Sequence, residues 1–190
     1  LFRSACRSIA GGFVEWRNGD TSEESFAESI FPAHHWNLVD LVTVVSDKRK
    51  DVSTSITHGK VKDSPFYSTR IAGMPKKIEQ CKEILQQRDF EKLGILLEKE
   101  ALEMHAIFMS AGIIHLTPAS LALIKLIRDT RVSQKLAMYF TINTGQDVHV
   151  FCEEKDAKQI QEWLESIDFV KKVIRNTAGE GARLSDEHLF

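Results

Sequence analysis

The sequence has 190 residues, of which 43% are hydrophobic and 27% charged, enough for one full core or one domain plus part of another. A formal net charge of −2, with Lys and Arg interspersed among Asp and Glu from Lys76 to Glu103, offers no basic surface for a polyanion, so nucleic acid is not an expected partner. Cys6, Cys81 and Cys152 are far apart with no CxxC pair, which argues against a disulfide framework or a zinc site and for reduced thiols in the cytoplasm; no apolar run nears the ~20 residues that span a bilayer, so no membrane partner is expected.

In chain order, Gly11 to Arg17 reads as a strand entered through a glycine pair, and Phe26 to Phe31 as a shorter strand. Leu38 to Ser46, β-branched and apolar, reads as a buried central strand. Asp47 to Lys62, rich in Ser, Thr and Lys, reads as a loop. Met74, Ile78, Cys81 and Leu85 recur at helical spacing, with Pro75 in the first turn, where a missing N–H is tolerated. Phe90, Leu93, Leu97, Ala101, Met104 and Phe108 form a second helical stripe, opened by Asp89 as N-cap. A third helix runs from near Pro118 towards Arg131, with Leu123, Ile124 and Ile127 as its core. Strands return at Leu136 to Ile142 and Asp147 to Cys152. They are joined by a tight connection, Asn143 to Gln146, in which Gly145 is free to take a positive φ. Asp156 to Ser166 is amphipathic, and Val170 to Ile174 reads as a last strand. This order predicts an α+β fold with a largely antiparallel sheet packed against helices.

The most informative stretch is Ser4-Ala5-Cys6-Arg7-Ser8 followed by Gly11-Gly12-Phe13-Val14-Glu15-Trp16. Small residues and an arginine ahead of a glycine pair suit an anion, because the guanidinium fork matches a carboxylate in two hydrogen bonds. A purely structural arginine fits the same residues. His105, on the second helical stripe, fits a packed or hydrogen-bonded core histidine, and contact with a site is the alternative.

The stretch from Ser4 to Trp16 resembles the signature of the diphosphomevalonate decarboxylase family, within the GHMP kinase superfamily. Further similarities follow in order. They are Ala33-His34-His35-Trp36, the serine-rich loop Asp51 to Ser55, Asp63-Ser64-Pro65-Phe66, Arg88-Asp89-Phe90, Met104-His105-Ala106, and Tyr139 to Gly145. The resemblance implies a GHMP-type C-terminal domain over residues 37–190, with residues 1–36 ending the N-terminal part and supplying linking strands. It implies ATP-dependent decarboxylation of mevalonate 5-diphosphate to isopentenyl diphosphate, with ATP and Mg²⁺ as cofactors. It also implies a cytoplasmic homodimer. Arg7 matches the arginine that holds the substrate carboxylate. Ser4 matches a serine that contacts substrate, Thr54 lies at or beside a family serine near the phosphates, and Ser53 in the same loop fits a phosphate contact and simple solvation equally. Asn143 stands at the position of the catalytic aspartate.

Three departures from the family pattern bear on activity. An asparagine at 143 keeps shape and hydrogen bonding but cannot accept a proton, and a general base is commonly worth ~10²–10⁴ in rate. Asp147, four residues on, is a conceivable substitute, but on the outgoing strand of the predicted hairpin it need not point the same way. Phe2 and Arg3 replace the expected Ser and Gly. The ATP-binding loop of the family lies upstream of Leu1, so no residue here is expected to bind the nucleotide, and the N-terminal half is expected to be needed. A C3-kinase or monophosphate-specific relative, or a catalytically degenerate paralogue, are the alternatives that Asn143 raises.

Overall fold

The structure, a computed structural model, describes residues 9–47 and 53–185. Of the described residues, 9–38 together with 177–185 form one compact unit, and those between 39 and 176 form another.

In the first unit β1 (Phe13–Trp16) pairs antiparallel with β2 (Ala27–Phe31), from Phe13 opposite Phe31 to Trp16 opposite Ala27. Gly11 and Gly12 lie at φ +68° and +67°, the left-handed region that glycine enters without strain. A Cβ on Gly11 would come 2.1 Å from the Gly181 nitrogen, and one on Gly12 2.3 Å from the Phe31 carbonyl oxygen. The Gly12 N–H donates to the Gly179 carbonyl at 2.7 Å, and that of Ala182 to Ile9 at 3.0 Å. Close backbone packing therefore accounts for the glycine pair without an anion. The Ala33–His35 segment forms a 3₁₀ turn. There the His35 ring stacks on Phe31 at 4.2 Å and Trp36 is buried. The His-Trp element is thus a packing element of this unit.

The second unit is built on a four-stranded sheet in the order β4-β5-β3-β6, where β3 is Leu38–Val44, β4 Met138–Thr141, β5 Val148–Glu153 and β6 Lys172–Thr177. β4 and β5 run antiparallel, with Met138 opposite Cys152 and Thr141 opposite His149. Alternation of buried and half-buried residues along β3 and β5 follows the two-residue period of a strand. Val39, Leu41, Val148, Val150 and Cys152 are fully buried, each aliphatic side chain contributing about 1.5–3 kcal/mol by leaving water. The helices are α1 (Thr54–Lys60), α2 (Tyr67–Gln87), α3 (Phe90–Ser110), α4 (Pro118–Gln134) and α5 (Glu154–Glu165).

α3 lies against β4, and Gly94 is why it can. A Cβ there would meet the Tyr139 ring at 2.0 Å, while Phe90 meets the same ring edge-on at 5.4 Å. Glu98 is buried on the same helix and accepts from Arg128 at 3.0 Å and Arg131 at 2.6 Å. Arg131 also lies over Tyr139, 4.3 Å from the ring centroid. A buried carboxylate needs such partners, because removing one would strand the charge.

Four expectations change. The segment from 54 to 60 is helix rather than loop. Ser53 caps it by accepting from the Ile56 N–H at 3.3 Å, and Thr57 is fully buried, so tertiary contact stabilises a helix with no apolar stripe. Pro75 lies inside α2, not in its first turn, because the helix begins at Tyr67. Its early turns are held by charge rather than apolar periodicity. Arg70 pairs with Glu100, and Lys77 pairs with Glu103 and, at 2.9 Å, with Glu100. Pro75 itself is exposed, where solvent can meet the carbonyl that loses its N–H partner. Gly145 does not take a positive φ; the connection spans residues 142–147, longer than a two-residue turn, so it needs no left-handed residue. The last strand runs Lys172–Thr177, two residues later than expected, and the Lys171 N–H joins the Val44 carbonyl at 2.8 Å just before it.

Candidate functional site

The β4–β5 connection carries the residue of greatest chemical interest. Ile142 is 1% exposed and pins its start, whereas Asn143 is exposed. Three contacts fix the turn. The Ser120 hydroxyl donates to the Gln146 carbonyl at 2.6 Å, and Ser120 is itself held in the Thr117 capping box at the start of α4. The Val45 N–H donates to Asp147 Oδ1 at 3.3 Å. Asp147 is thereby tied to the end of β3. Thr144 Oγ1 lies 3.0 Å from Thr54 Oγ1.

Thr54 opens α1, and the Ser53 side chain caps it. Both face at least partly outward: Ser53 is exposed and Thr54 half-buried. The inner side of α1 is fastened by Thr57, whose hydroxyl donates to the Ser53 carbonyl at 3.1 Å and meets His115 Nε2 at 2.9 Å. The two contacts are satisfied together when His115 donates from Nε2. His115 is itself buried, in the segment between α3 and α4.

His105 is 2% exposed. Burial, which disfavours the charged ring, lowers its pKa to about 4; the polar Asn143 backbone opposes that and the nearby His115 adds to it. The ring is therefore neutral near pH 7. Nε2 has no hydrogen-bond partner among the described residues. A second histidine has the opposite environment. His149 Nδ1 lies 2.9 Å from Asp40 on the neighbouring strand, and that carboxylate raises the His149 pKa.

Of the residues singled out from sequence, the structure brings Ser53 and Thr54 beside the turn that carries Asn143. Ser4 and Arg7 lie outside the described residues. Sequence reasoning missed Thr57, His115 and Thr144. Only Thr144, next to Asn143, carried a signal. Among the described residues no group of three or more His, Cys, Asp or Glu side chains is placed to hold a metal ion. A separate groove of about 510 Å³ between α2 and α3 is lined by Phe66, Arg70 and Ile107 among others. Its Arg70 and Lys77 are paired with glutamates.

A helix-backed sheet whose strand connection presents an exposed carboxamide beside a capped helix start defines an α+β domain. The family described as mevalonate 5-diphosphate decarboxylase C-terminal domain matches residues 40–186. The chain belongs to that family. Diphosphomevalonate decarboxylase of Debaryomyces hansenii is 31% identical over 165 residues, 83% of this chain and 42% of its own length. That of Danio rerio is 33% identical over 156 residues, 78% of this chain and 39% of its own length. A solved structure described as MDDEF in complex with MVAPP, AMPPCP and magnesium superposes with TM-score 0.85 at 33% identity, covering 94% of this chain and 55% of that one. The mevalonate diphosphate decarboxylase from Staphylococcus aureus gives 0.84 at 27% identity, covering 94% of this chain and 55% of that one. The chain thus spans about four tenths of the length of the curated relatives, 42% and 39% for the two named.

Proposed function

We propose that this chain is the C-terminal part of an enzyme that decarboxylates mevalonate 5-diphosphate to isopentenyl diphosphate at the expense of ATP. The observation that supports it most is the contact between Thr54 and Thr144, 3.0 Å, which sets the helix start bearing Ser53 and Thr54 beside the turn bearing Asn143. In this reading Ser53 and Thr54 offer hydroxyls to the substrate phosphates, and Asn143 meets the C3 hydroxyl. Ser4 and Arg7 hold the substrate, Arg7 through its carboxylate. ATP and Mg²⁺ bind to the N-terminal half, which the activity requires, and residues 1–36 end that half. The assembly is a cytoplasmic homodimer.

A carboxamide donates through Nδ2 and accepts through Oδ1, but does not take up a proton at neutral pH. Asn143 can therefore orient the C3 hydroxyl without deprotonating it. That chemistry favours a second reading, in which the enzyme phosphorylates C3 without decarboxylation, acts on the monophosphate, or has lost turnover. The test is to supply the full-length polypeptide with mevalonate 5-diphosphate, ATP and Mg²⁺ and to measure ADP and carbon dioxide separately. Equal release of both supports decarboxylation, ADP alone supports the kinase, and neither refutes both catalytic readings.

A further inference from the structure

α1 has seven residues and no apolar stripe: Ile56 is 52% exposed, and among its described side chains only Thr57 is fully buried. So short a helix does not hold itself in water, and its place is set by what it touches. At a fully buried position valine would fill the volume of threonine with no hydroxyl to satisfy. The Thr57 hydroxyl is satisfied twice, donating to the Ser53 carbonyl at 3.1 Å and meeting His115 Nε2 at 2.9 Å. His115 stands on a fixed base. Before it, the Ile113 N–H donates to the Phe108 carbonyl at 2.9 Å; after it, Thr117 caps α4. The buried ring lies edge-on to Phe108 at 5.4 Å between centroids. The far end of the α1 segment is tied separately, where Ser64 Oγ lies 2.7 Å from Ser110 Oγ at the end of α3. His115 thus meets the near end, the end that bears Ser53 and Thr54.

We propose that His115 is a positioning residue: through the Thr57 hydroxyl it ties α1 to the core and so fixes where the Ser53 and Thr54 side chains stand, a role that rests on reading those two as the groups that meet the substrate phosphates. The tie is polar at both ends, since Thr57 accepts from His115 while donating to Ser53, the residue just before α1. It therefore has a direction and a length, which an apolar contact lacks. The same helix start reaches the turn bearing Asn143 through Thr54 and Thr144, 3.0 Å apart. Fixing α1 therefore sets the spacing between the candidate phosphate contacts and residue 143 before substrate arrives, and a misplacement of about 1 Å is enough to spoil a productive contact.

The test uses the full-length polypeptide. His115→Phe fills the site without a donor, Thr57→Val removes the hydroxyl and keeps the volume, and His115→Gln keeps an N–H near the position of Nε2. Amide hydrogen exchange is measured for residues 57–60 of α1 and, as a control, for β5 (Val148–Glu153). Binding of mevalonate 5-diphosphate is measured by titration calorimetry. In H115F and T57V, exchange in α1 should quicken by about tenfold and the Kd should rise by about tenfold, the equivalent of one buried hydrogen bond, while β5 stays within about threefold of the parent. H115Q should stay within about threefold of the parent on every count. Should H115F fail to fold, T57V carries the same comparison. Unchanged exchange in α1 overturns the proposal, and so does faster exchange with an unchanged Kd. A loss in H115Q equal to that in H115F also overturns it, by reducing His115 to a packing residue. A parent that binds no mevalonate 5-diphosphate overturns the reading of Ser53 and Thr54 and the proposal with it. A parent that binds it, with variants that bind it equally well, overturns the proposal alone.

Discussion

Thr54 and Thr144 share a hydrogen bond of 3.0 Å although 90 residues separate them in sequence. The bond joins the start of α1 to the connection between β4 and β5, the two segments that carry the candidate substrate-facing residues of this unit. Replacing each threonine by valine, singly and together, should reveal a coupling of about 0.5–1.5 kcal/mol in urea unfolding, the usual net worth of one hydrogen bond. Strictly additive losses would show that the two hydroxyls do not depend on each other.

Asn143→Asp in the full-length polypeptide should raise carbon dioxide release by about 10²–10⁴-fold, the range a positioned general base supplies. Because residue 143 is exposed, the urea midpoint should shift by no more than about 0.5 kcal/mol. A stable variant with no gain would mean that the aspartate is not the missing element.

Two glycines on neighbouring helices should respond in opposite directions to alanine. At Gly94 the new Cβ would lie 2.0 Å from the Tyr139 ring. α3 or the ring must then move, at a cost of about 1–3 kcal/mol, which lowers Tm by roughly 3–10 °C in a chain of this size. At Gly73, in α2, nothing lies within 4 Å of the added atom. Alanine there should stabilise by about 0.5–1 kcal/mol through helix propensity. Differential scanning calorimetry of both variants checks the pair.

The two buried-side histidines should give stability contributions with opposite pH dependence. His105 falls from 6.5 to about 4 on folding, so the unfolded chain binds its proton first as pH drops. Its contribution is intact above pH 6.5 and declines towards pH 4, by up to about 3 kcal/mol. His149 is raised by Asp40, so its contribution is present below pH 6.5 and is lost as pH climbs through its folded value. Urea midpoints between pH 4 and 8 should show H105N flattening the acid limb and H149Q flattening the neutral one.

Much of this architecture was legible from period alone. Asp89 and the Phe90 stripe, Pro118 with Leu123 and Ile127, and the alternation in Val148, Val150 and Cys152 all specify their elements locally. α1 was not legible, because Ser53 to Lys60 holds no apolar stripe and its stability comes from Thr57 meeting His115. The early start of α2 was hidden for a similar reason, since Arg70 and Lys77 owe their role to glutamates on α3. At the site, family resemblance indicated Ser53, Thr54 and Asn143. Nothing in the sequence indicated that Thr54 meets Thr144, because that contact depends on where α1 folds against the β4–β5 connection.

The strand order β4-β5-β3-β6 has a consequence for synthesis. β3 emerges from the ribosome long before β5, with 109 residues between Asp40 and its partner His149. At about 5–20 residues per second, an apolar segment destined for the middle of the sheet waits roughly 5–20 s for a neighbour. Through that interval Val39, Leu41 and Val42 are an unpaired edge open to pairing with another nascent chain. The sequence-local α2–α3 hairpin can form meanwhile, but it cannot supply β3 with a hydrogen-bonded strand. Yield of soluble protein should therefore depend on translation speed and chaperone supply more than equilibrium stability alone would indicate.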